Sequence, residues 1–469
     1  TPDYRYHEAL LRSLEKLIEQ QGLRDVFPST PDLCLASQEV QATGNKLQIE
    51  ALRLNPQIRG YCLHAYTDGD WIYGASILDI WREPKKAYAA LSEVNQPVYP
   101  AIRVQPANVY AGQSASLSVD LVNEVARGAA VLRVRVISAD GKVAFGAQDK
   151  VRLEPGISRL FHEQISTTGL DGTCLVTAVL EQDRRTLAHN TYRFFAVAPE
   201  HLRMPEVAFD TIDPDQVLSE FCRSYGLAAR TFDGGPPRSP VVVACENAAD
   251  TQTFEALVRA MDYVARGGVA VFLDPPLTRE PELRQHLLRA GRAAPLMPEE
   301  NSLISTGLFP VRLESRWGTG HWIPVNHLVR DHPVFAHLPS RCLMGAVYRN
   351  VCPVETIYGL EGEAIAGSIS IEIRHDYRYL NYLGLNTFYW GSDLAVVSHG
   401  KGKMLLSTLR IVPWLGKDPV ADLLFGNLVS YAQSLAGAVE PAGQGLTEAL
   451  ARYGAAFEQW RASSASQPS

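Results

Sequence analysis

The chain has 469 residues, 46% hydrophobic and 20% charged, which is the composition of an ordinary globular protein with room for about two to four domains. Its formal net charge of −7 offers no basic field to nucleic acid or to an anionic membrane. No apolar run approaches the roughly 20 residues of a membrane helix, and seven scattered cysteines (34, 62, 174, 222, 245, 342, 352) without a C-x-x-C pair argue against a disulfide framework and a zinc site.

The opening Thr1-Pro2-Asp3-Tyr4 has neither an initiator Met nor a signal-like apolar stretch and reads as the interior of a longer polypeptide. Compartment is therefore not legible. Residues 7–21 predict an amphipathic helix with the stripe Leu10, Leu11, Leu14, Leu17 and Ile18, stopped by Gly22. A second helix is predicted over 31–54, with Thr30 as N-cap and Pro31 in the first helical position. Gly44 is its weak point, and Asn55-Pro56 ends it. The apolar run 58–66 reads as a buried strand. A polar, aromatic loop follows it, Thr67-Asp68-Gly69-Asp70-Trp71, and a helix over about 84–93 opens on Pro84.

One strand and three helices cannot cover both faces of a parallel sheet. The residues carry a resemblance that accounts for this. Gly60-Tyr61 on the strand, Asp68-x-x-Trp71 in the loop, and Asp79-x-x-Arg82-x-Pro84-Lys85-x-Ala87-Tyr88 stand in fixed order. Together they resemble the last strand and last helix of the catalytic barrel in glycoside hydrolase family 2, the β-galactosidase, β-mannosidase and β-glucuronidase group. The resemblance implies that residues 1–96 are the C-terminal portion of a (β/α)8 barrel. It places Asp68, Asp70, Trp71 and His64 at the substrate cleft, at the carboxyl end of a barrel strand. Retaining glycosidases use two carboxylates about 5–5.5 Å apart. In this family the acid/base Glu follows an Asn, and the nucleophile ends the seventh strand. Asn123-Glu124 and Glu246-Asn247 lie in other settings, and Glu39 and Glu50 fall mid-helix, where they read as solvated or structural. No catalytic residue is therefore assigned, and the pair is expected upstream of Thr1. Residues 1–96 are expected to be ordered only against such a preceding segment.

Periodicity changes over 97–200. Leu117, Val119 and Leu121 alternate with Ser116, Ser118 and Asp120. Leu132, Val134 and Val136 alternate with Arg133 and Arg135, and Cys174, Val176, Ala178 and Leu180 follow the same rule. Turn signals at Gly112, Asp140-Gly141, Pro155-Gly156 and Asp171-Gly172 separate about seven strands, the pattern of an immunoglobulin-like β-sandwich. Family 2 enzymes carry such sandwiches beside the barrel.

After a linker at 199–205, residues 206–437 predict alternating strands and helices, a doubly wound α/β domain. Val241–Cys245, Val269–Leu273 and Met404–Leu409 are its apolar strands, and a helix runs from Asp418-Pro419 to about Ala436. The Tyr263–Gly268 helix end, the Asp331-His332-Pro333-Val334-Phe335 turn and the Gly400-Lys401-Gly402-Lys403 hairpin resemble the class I glutamine-amidotransferase-like, flavodoxin-like domain appended to several glycosidases. That family's nucleophile elbow is absent: Asp274-Pro275-Pro276 stands there, and His399 is followed by Gly400. Cys245 is thus expected to be inert, and Gly400-x-Gly402 to be a hairpin turn and no dinucleotide fingerprint. No cofactor is expected. Residues 438–469 comprise a linker, a helix over about 445–462 and a Ser-rich end expected to be disordered.

The aromatic group Trp317, Trp322, Tyr377, Tyr379, Tyr382, Phe388, Tyr389 and Trp390 is read as core or as a contact surface, the latter allowing a homo-oligomer through the α/β domain. The resulting expectation is the C-terminal portion of a retaining β-glycosidase. Its partners would be a carbohydrate substrate and the missing N-terminal segment of the same enzyme. The alternative is a non-catalytic carbohydrate-binding or oligomerisation module.

Overall fold

The computed structural model describes residues 2–68, 76–202, 204, 206, 208–234, 239–289, 302–311, 314–317, 326–360, 362–372, 387–437 and 446–465. Helix α1 (Pro2–Gln20) buries Leu10, Leu14, Leu17 and Ile18, while Leu11 turns outward, 48% exposed. Helix α2 (Thr30–Arg53) begins one residue earlier than its Thr-Pro suggests. Ser29 is the cap: its Oγ accepts from Asp32 N at 3.4 Å, and Asp32 Oδ2 accepts from Ser29 N at 2.9 Å, a reciprocal box that satisfies both donors. Gly44 does not interrupt the helix. Helix α3 (Lys86–Val94) starts two residues after Pro84.

These helices are seated on later parts of the chain. Leu14, Leu17, Ile18 and Leu33 pack on Leu328, Leu343 and Ile369. Ala42 and Ile49 of α2, with Ala87, Leu91 and Val94 of α3, pack on Tyr99, Ala101 and Val122. The expectation that residues 1–96 require a preceding segment for order is thus corrected for the helices, which find apolar partners within the chain.

The predicted strand 58–66 is not formed. The run is irregular and mostly exposed, and the nearest ladder contacts are single bridges from Leu78 to Thr67 and to Pro84. The physical reason is general: a strand satisfies its N–H and C=O groups only through a neighbour, and among the described residues no strand pairs with 58–66, which meets Leu78 only at its end, through Tyr66.

Residues 98–197 form eight strands in two sheets. They are β1 (Val98–Gln105), β2 (Asn108–Tyr110), β3 (Ser114–Asn123), β4 (Gly128–Ile137), β5 (Val143–Leu153), β6 (Gly156–Ser166), β7 (Gly172–Gln182) and β8 (Arg185–Val197). One sheet has the order β1-β3-β6 and the other β2-β8-β7-β4-β5. Leu117, Val119 and Leu121 of the first meet Leu132, Val134, Val176, Ala178 and Leu180 of the second in one apolar core. The outward-facing Asp120 is nearly buried and is neutralised by Arg159 at 2.9 Å.

Next come β9 (Phe209–Ile212), α4 (Val217–Tyr225), β10 (Ala229–Thr231), β11 (Val241–Val243), α5 (Thr251–Ala265) and β12 (Val269–Phe272). Short pieces follow: β13 (Thr278–Arg279), α6 (Pro281–Arg289), α7 (Ser302–Ser305), β14 (Glu314–Trp317), β15 (Asn326–Val329) and β16 (Cys342–Leu343). The chain then forms β17 (Glu355–Tyr358), β18 (Glu363–Glu372), β19 (Thr387–His399), β20 (Gly402–Ser407), α8 (Pro419–Leu435) and α9 (Leu446–Ala465). Strands β10-β9-β11-β12-β20 run parallel, so their chain order across the sheet is second, first, third, fourth, fifth, one of the two common doubly wound orders. Val241, Val243, Ala270 and Phe272 point to α5 and α9, whereas Val242, Val269 and Val271 point to α4 and α8. Burial on both faces explains why these strands are apolar without alternation. Strand–helix alternation does not hold over the whole of 206–437. Between β14 and β19 no helix longer than one turn intervenes among the described residues, so the strands return antiparallel and extend the sheet.

The sandwich and the α/β region share a polar junction at the start of α8. Asp422 Oδ2 accepts from Tyr110 Oη at 2.8 Å and Tyr225 Oη at 2.6 Å, and its Oδ1 from Gly416 N at 2.7 Å. Asp418 caps the helix through Val420 N and also accepts from Asn108 and Asn350 amides. Among the described residues neither acid has a basic partner there; neutral donors from both regions hold them.

Candidate functional site

The loop carrying the motif residues is built around one carboxylate. Asp68 Oδ1 accepts from Ser76 N at 3.2 Å and from the Ser76 hydroxyl, and Oδ2 meets Lys85 Nζ at 2.9 Å. Asp68 N donates to Leu78 O at 2.9 Å, Leu78 N to Tyr66 O at 3.1 Å, and Lys85 N to Ile77 O at 3.0 Å. Gln41 of α2 ties Ser76 O from below at 3.2 Å. Asp68 and Ser76 therefore pin the two ends of the segment 69–75. Lys85 is 7% exposed and Asp68 19% exposed in their side chains, so this pair is only weakly screened.

This geometry decides what Asp68 can do. Three donors take three of the about four acceptor positions on its two oxygens, so the carboxylate serves chiefly to position the loop. Its partners Ser76 and Lys85 were not singled out from the sequence. Lys85 stands directly after Pro84 in the motif, and that position was the available signal. Asp70 and Trp71 lie outside the described residues. His64 is exposed on the irregular run. Asp79 closes a second turn, accepting from Trp81 N at 2.9 Å and Glu83 N at 2.8 Å. That turn leaves Trp81 80% exposed, near Tyr66 in sequence order at 61% and Tyr88 at 41%.

The other sequence candidates resolve into structural roles. Glu124 pairs with Arg53 at 2.8 Å, and Glu39 with Lys86 at 2.9 Å. Arg279 bridges Glu246 and, at 2.7 Å, Glu355 in a mostly buried triad that fastens β13 to β17 and to the end of β11. Glu50 differs: it is buried, its side chain accepts from Tyr99 and Asn190, and burial pushes its carboxyl above the usual range. Its mid-helix position reads as solvent-facing, yet it stands one residue after the core residue Ile49 and eight after Ala42, on the edge of the buried stripe.

Burial pushes the Cys245 thiol up to about 12, with Asp274, Asp213 and Asp215 adding to the effect. The thiolate is the nucleophilic form, so Cys245 is unreactive at neutral pH. Gly400 (φ 58°) and Gly402 make a hairpin that lies on the end of α5. A Cβ at Gly400 would stand 2.4 Å from Ala265 O, and one at Gly402 2.1 Å from Val264 O. The glycines permit backbone contact, seen as Lys401 N to Ala265 O at 2.9 Å, and frame no phosphate. Among the aromatics, Phe388 and Trp390 pack against α1 in the apolar cluster there, and Tyr389 meets Tyr358 at 5.5 Å. All three are partly buried and make packing contacts within the chain. Tyr377, Tyr379, Tyr382 and Trp322 lie outside the described residues, and the side chain of Trp317 does as well.

No known family and no curated protein matches the chain. Solved structures that resemble it are glycosidases. A β-D-mannosidase from Dictyoglomus thermophilum is 16% identical with a TM-score of 0.28, over 37% of this chain and 20% of that one. An exo-chitosanase from Amycolatopsis orientalis is 15% identical with a TM-score of 0.23, over 34% of this chain and 19% of that one. A glycosyl hydrolase family 2 member from Bacteroides cellulosilyticus DSM 14838 is 12% identical with a TM-score of 0.19, over 47% of this chain and 36% of that one. The chain spans about a fifth of the length of the first two and about a third of the last.

Proposed function

We propose that this chain is the C-terminal portion of a retaining β-glycosidase of the family 2 kind. In this reading it supplies the last barrel segment, a sandwich of immunoglobulin-like type and an amidotransferase-like α/β domain without catalysis of its own. The observation that carries the reading is the Asp68–Lys85 pair at 2.9 Å. It joins the Asp of Asp-x-x-Trp to the Lys of Asp-x-x-Arg-x-Pro-Lys, so the two halves of the sequence motif serve one loop. In the proposal that loop, with Asp70 and Trp71, lines the sugar cleft, and the catalytic Glu pair is supplied by polypeptide outside these 469 residues. The exposed Ile58–Tyr66 run is the strand that such a neighbour would complete.

The test is reconstitution. The chain alone should hydrolyse no aryl β-glycoside, and addition of an upstream barrel segment should restore turnover. With that segment present, Trp71→Ala should lower turnover through substrate positioning. Robust hydrolysis by the chain alone would sink the proposal.

A second reading has its own observation. The exposed rings of Tyr66, Trp81 and Tyr88 could stack on sugar faces in a non-catalytic carbohydrate-binding module. Oligosaccharide binding by the isolated chain, lost in Trp81→Ala and unaccompanied by any hydrolysis after reconstitution, would favour it.

A further inference from the structure

A cleft of about 340 Å³ opens where α2, β1, β8 and the Arg349-Asn350 turn meet, away from the motif loop. Glu50, Arg103, Gln105, Tyr192, Arg349 and Asn350 line it. Glu50 is its only lining carboxylate and is 4% exposed. Both of its protein hydrogen bonds end on Oε1, one from Tyr99 Oη and one from Asn190 Nδ2 at 3.3 Å. Asn190 is itself held by Pro100 O at 2.9 Å, and Tyr99 is fully buried, so the acceptor is rigidly mounted.

Lys46, one turn earlier, favours its charged form through space but makes no hydrogen bond to it. Its ammonium goes to Asn190 Oδ1 at 2.7 Å, Glu93 Oε1 at 3.1 Å and Thr191 O at 3.3 Å. Among the described residues Oε2 therefore takes no protein hydrogen bond, and it is the atom left for the cleft. Oε2 reaches the cleft surface, where it can accept from a molecule held there. Burial keeps its carboxyl above the usual range, as expected where compensation is incomplete.

The remaining lining chooses the partner. Arg349 donates Nε to Ala346 O at 2.8 Å, which leaves its terminal nitrogens for the cleft. Asn350 spends its amide nitrogen on Asp418 at 2.8 Å, which leaves its oxygen as an acceptor. A plain anion would suit the two guanidinium groups but be repelled by Glu50. A plain amine would suit Glu50 but be repelled by the arginines. Hydroxyl groups donate and accept, and the ring of Tyr192 offers an apolar face. Cavities of about 300 Å³ and above are of the size that holds a small ligand.

We infer that this cleft binds one polyhydroxylated molecule of monosaccharide size, Glu50 Oε2 accepting from a hydroxyl while Arg103 and Arg349 donate to others. The inference does not rest on the proposed glycosidase function. Saturation-transfer NMR and calorimetry on the full chain, with D-glucose, D-galactose, D-mannose and N-acetyl-D-glucosamine as probes, test it. At least one sugar should bind saturably. Glu50→Gln and Arg103→Ala should each weaken it by at least about fivefold, the worth of one hydrogen bond. Arg152→Ala, on an exposed sandwich arginine, should leave it unchanged. Arg103 is itself exposed, so its variant keeps the fold whatever Glu50→Gln does. No binding of any of the four sugars would overturn the inference. So would binding indifferent to both substitutions, or saturable binding of glycine or phosphate in place of the sugars.

Discussion

Helix α2 and the run Ile58–Tyr66 belong to the same N-terminal segment, and the run is the more apolar in composition, yet the helix is seated and the run mostly exposed. The helix closes its hydrogen bonds within itself and needs neighbours only for its buried stripe, which the sandwich and the α/β region supply. The run must borrow a neighbour for every backbone group. A helix can therefore persist where a strand-like run does not, because the two depend on their surroundings to different degrees.

The sharpest way to break this comparison is to attack the seated side. Ile49→Ala should cost about 3 kcal/mol in chemical denaturation, the usual penalty for emptying a core site. Tyr61→Ala, on the unseated run, should change stability by less than about 0.5 kcal/mol. Equal losses would show that the run is packed after all.

Asp68→Ala should come next, at about 2 kcal/mol, since it strands the buried Lys85 without its counter-ion. Hydrogen exchange should quicken at Ser76 and Leu78 and stay unchanged in the sandwich. Unaltered exchange at both amides would refute the pinning of the loop.

The smallest effect concerns pH. Burial raises the Glu50 carboxyl in the folded chain. The folded state thus holds that proton more tightly than the unfolded one, so stability from this group is complete below the ordinary glutamate value. It is lost as pH rises through the raised value. Glu50→Gln should flatten the falling stability curve in that window by at most about 1.4 kcal/mol per pH unit, the limit for one proton. A steeper curve in the variant would reverse the sign of the argument.

Much of the fold was legible because local rules and packing agree. Val241–Val243 are apolar without alternation because the sheet is covered on both faces, and Asp418-Pro419 announces α8 by cap and first-turn chemistry. Leu117, Val119 and Leu121 alternate because their sandwich sheet faces one core. Where sequence reading failed, the deciding partner was distant. The run 58–66 looks like a strand in composition, and only the lack of a neighbour makes it irregular. Glu50 looks solvated until Tyr99, 49 residues on, closes over it. In the candidate loop the motif order was readable, but the role of Asp68 was not, because that role belongs to Lys85 and Ser76 as much as to the acid.

The junction at Asp418 and Asp422 has a mechanical meaning. Hydroxyl and amide groups from the sandwich grip the first turn of α8, whose far side forms part of the α/β core. The sandwich is thus joined to the α/β core through the side chains of α8 as well as through the covalent chain.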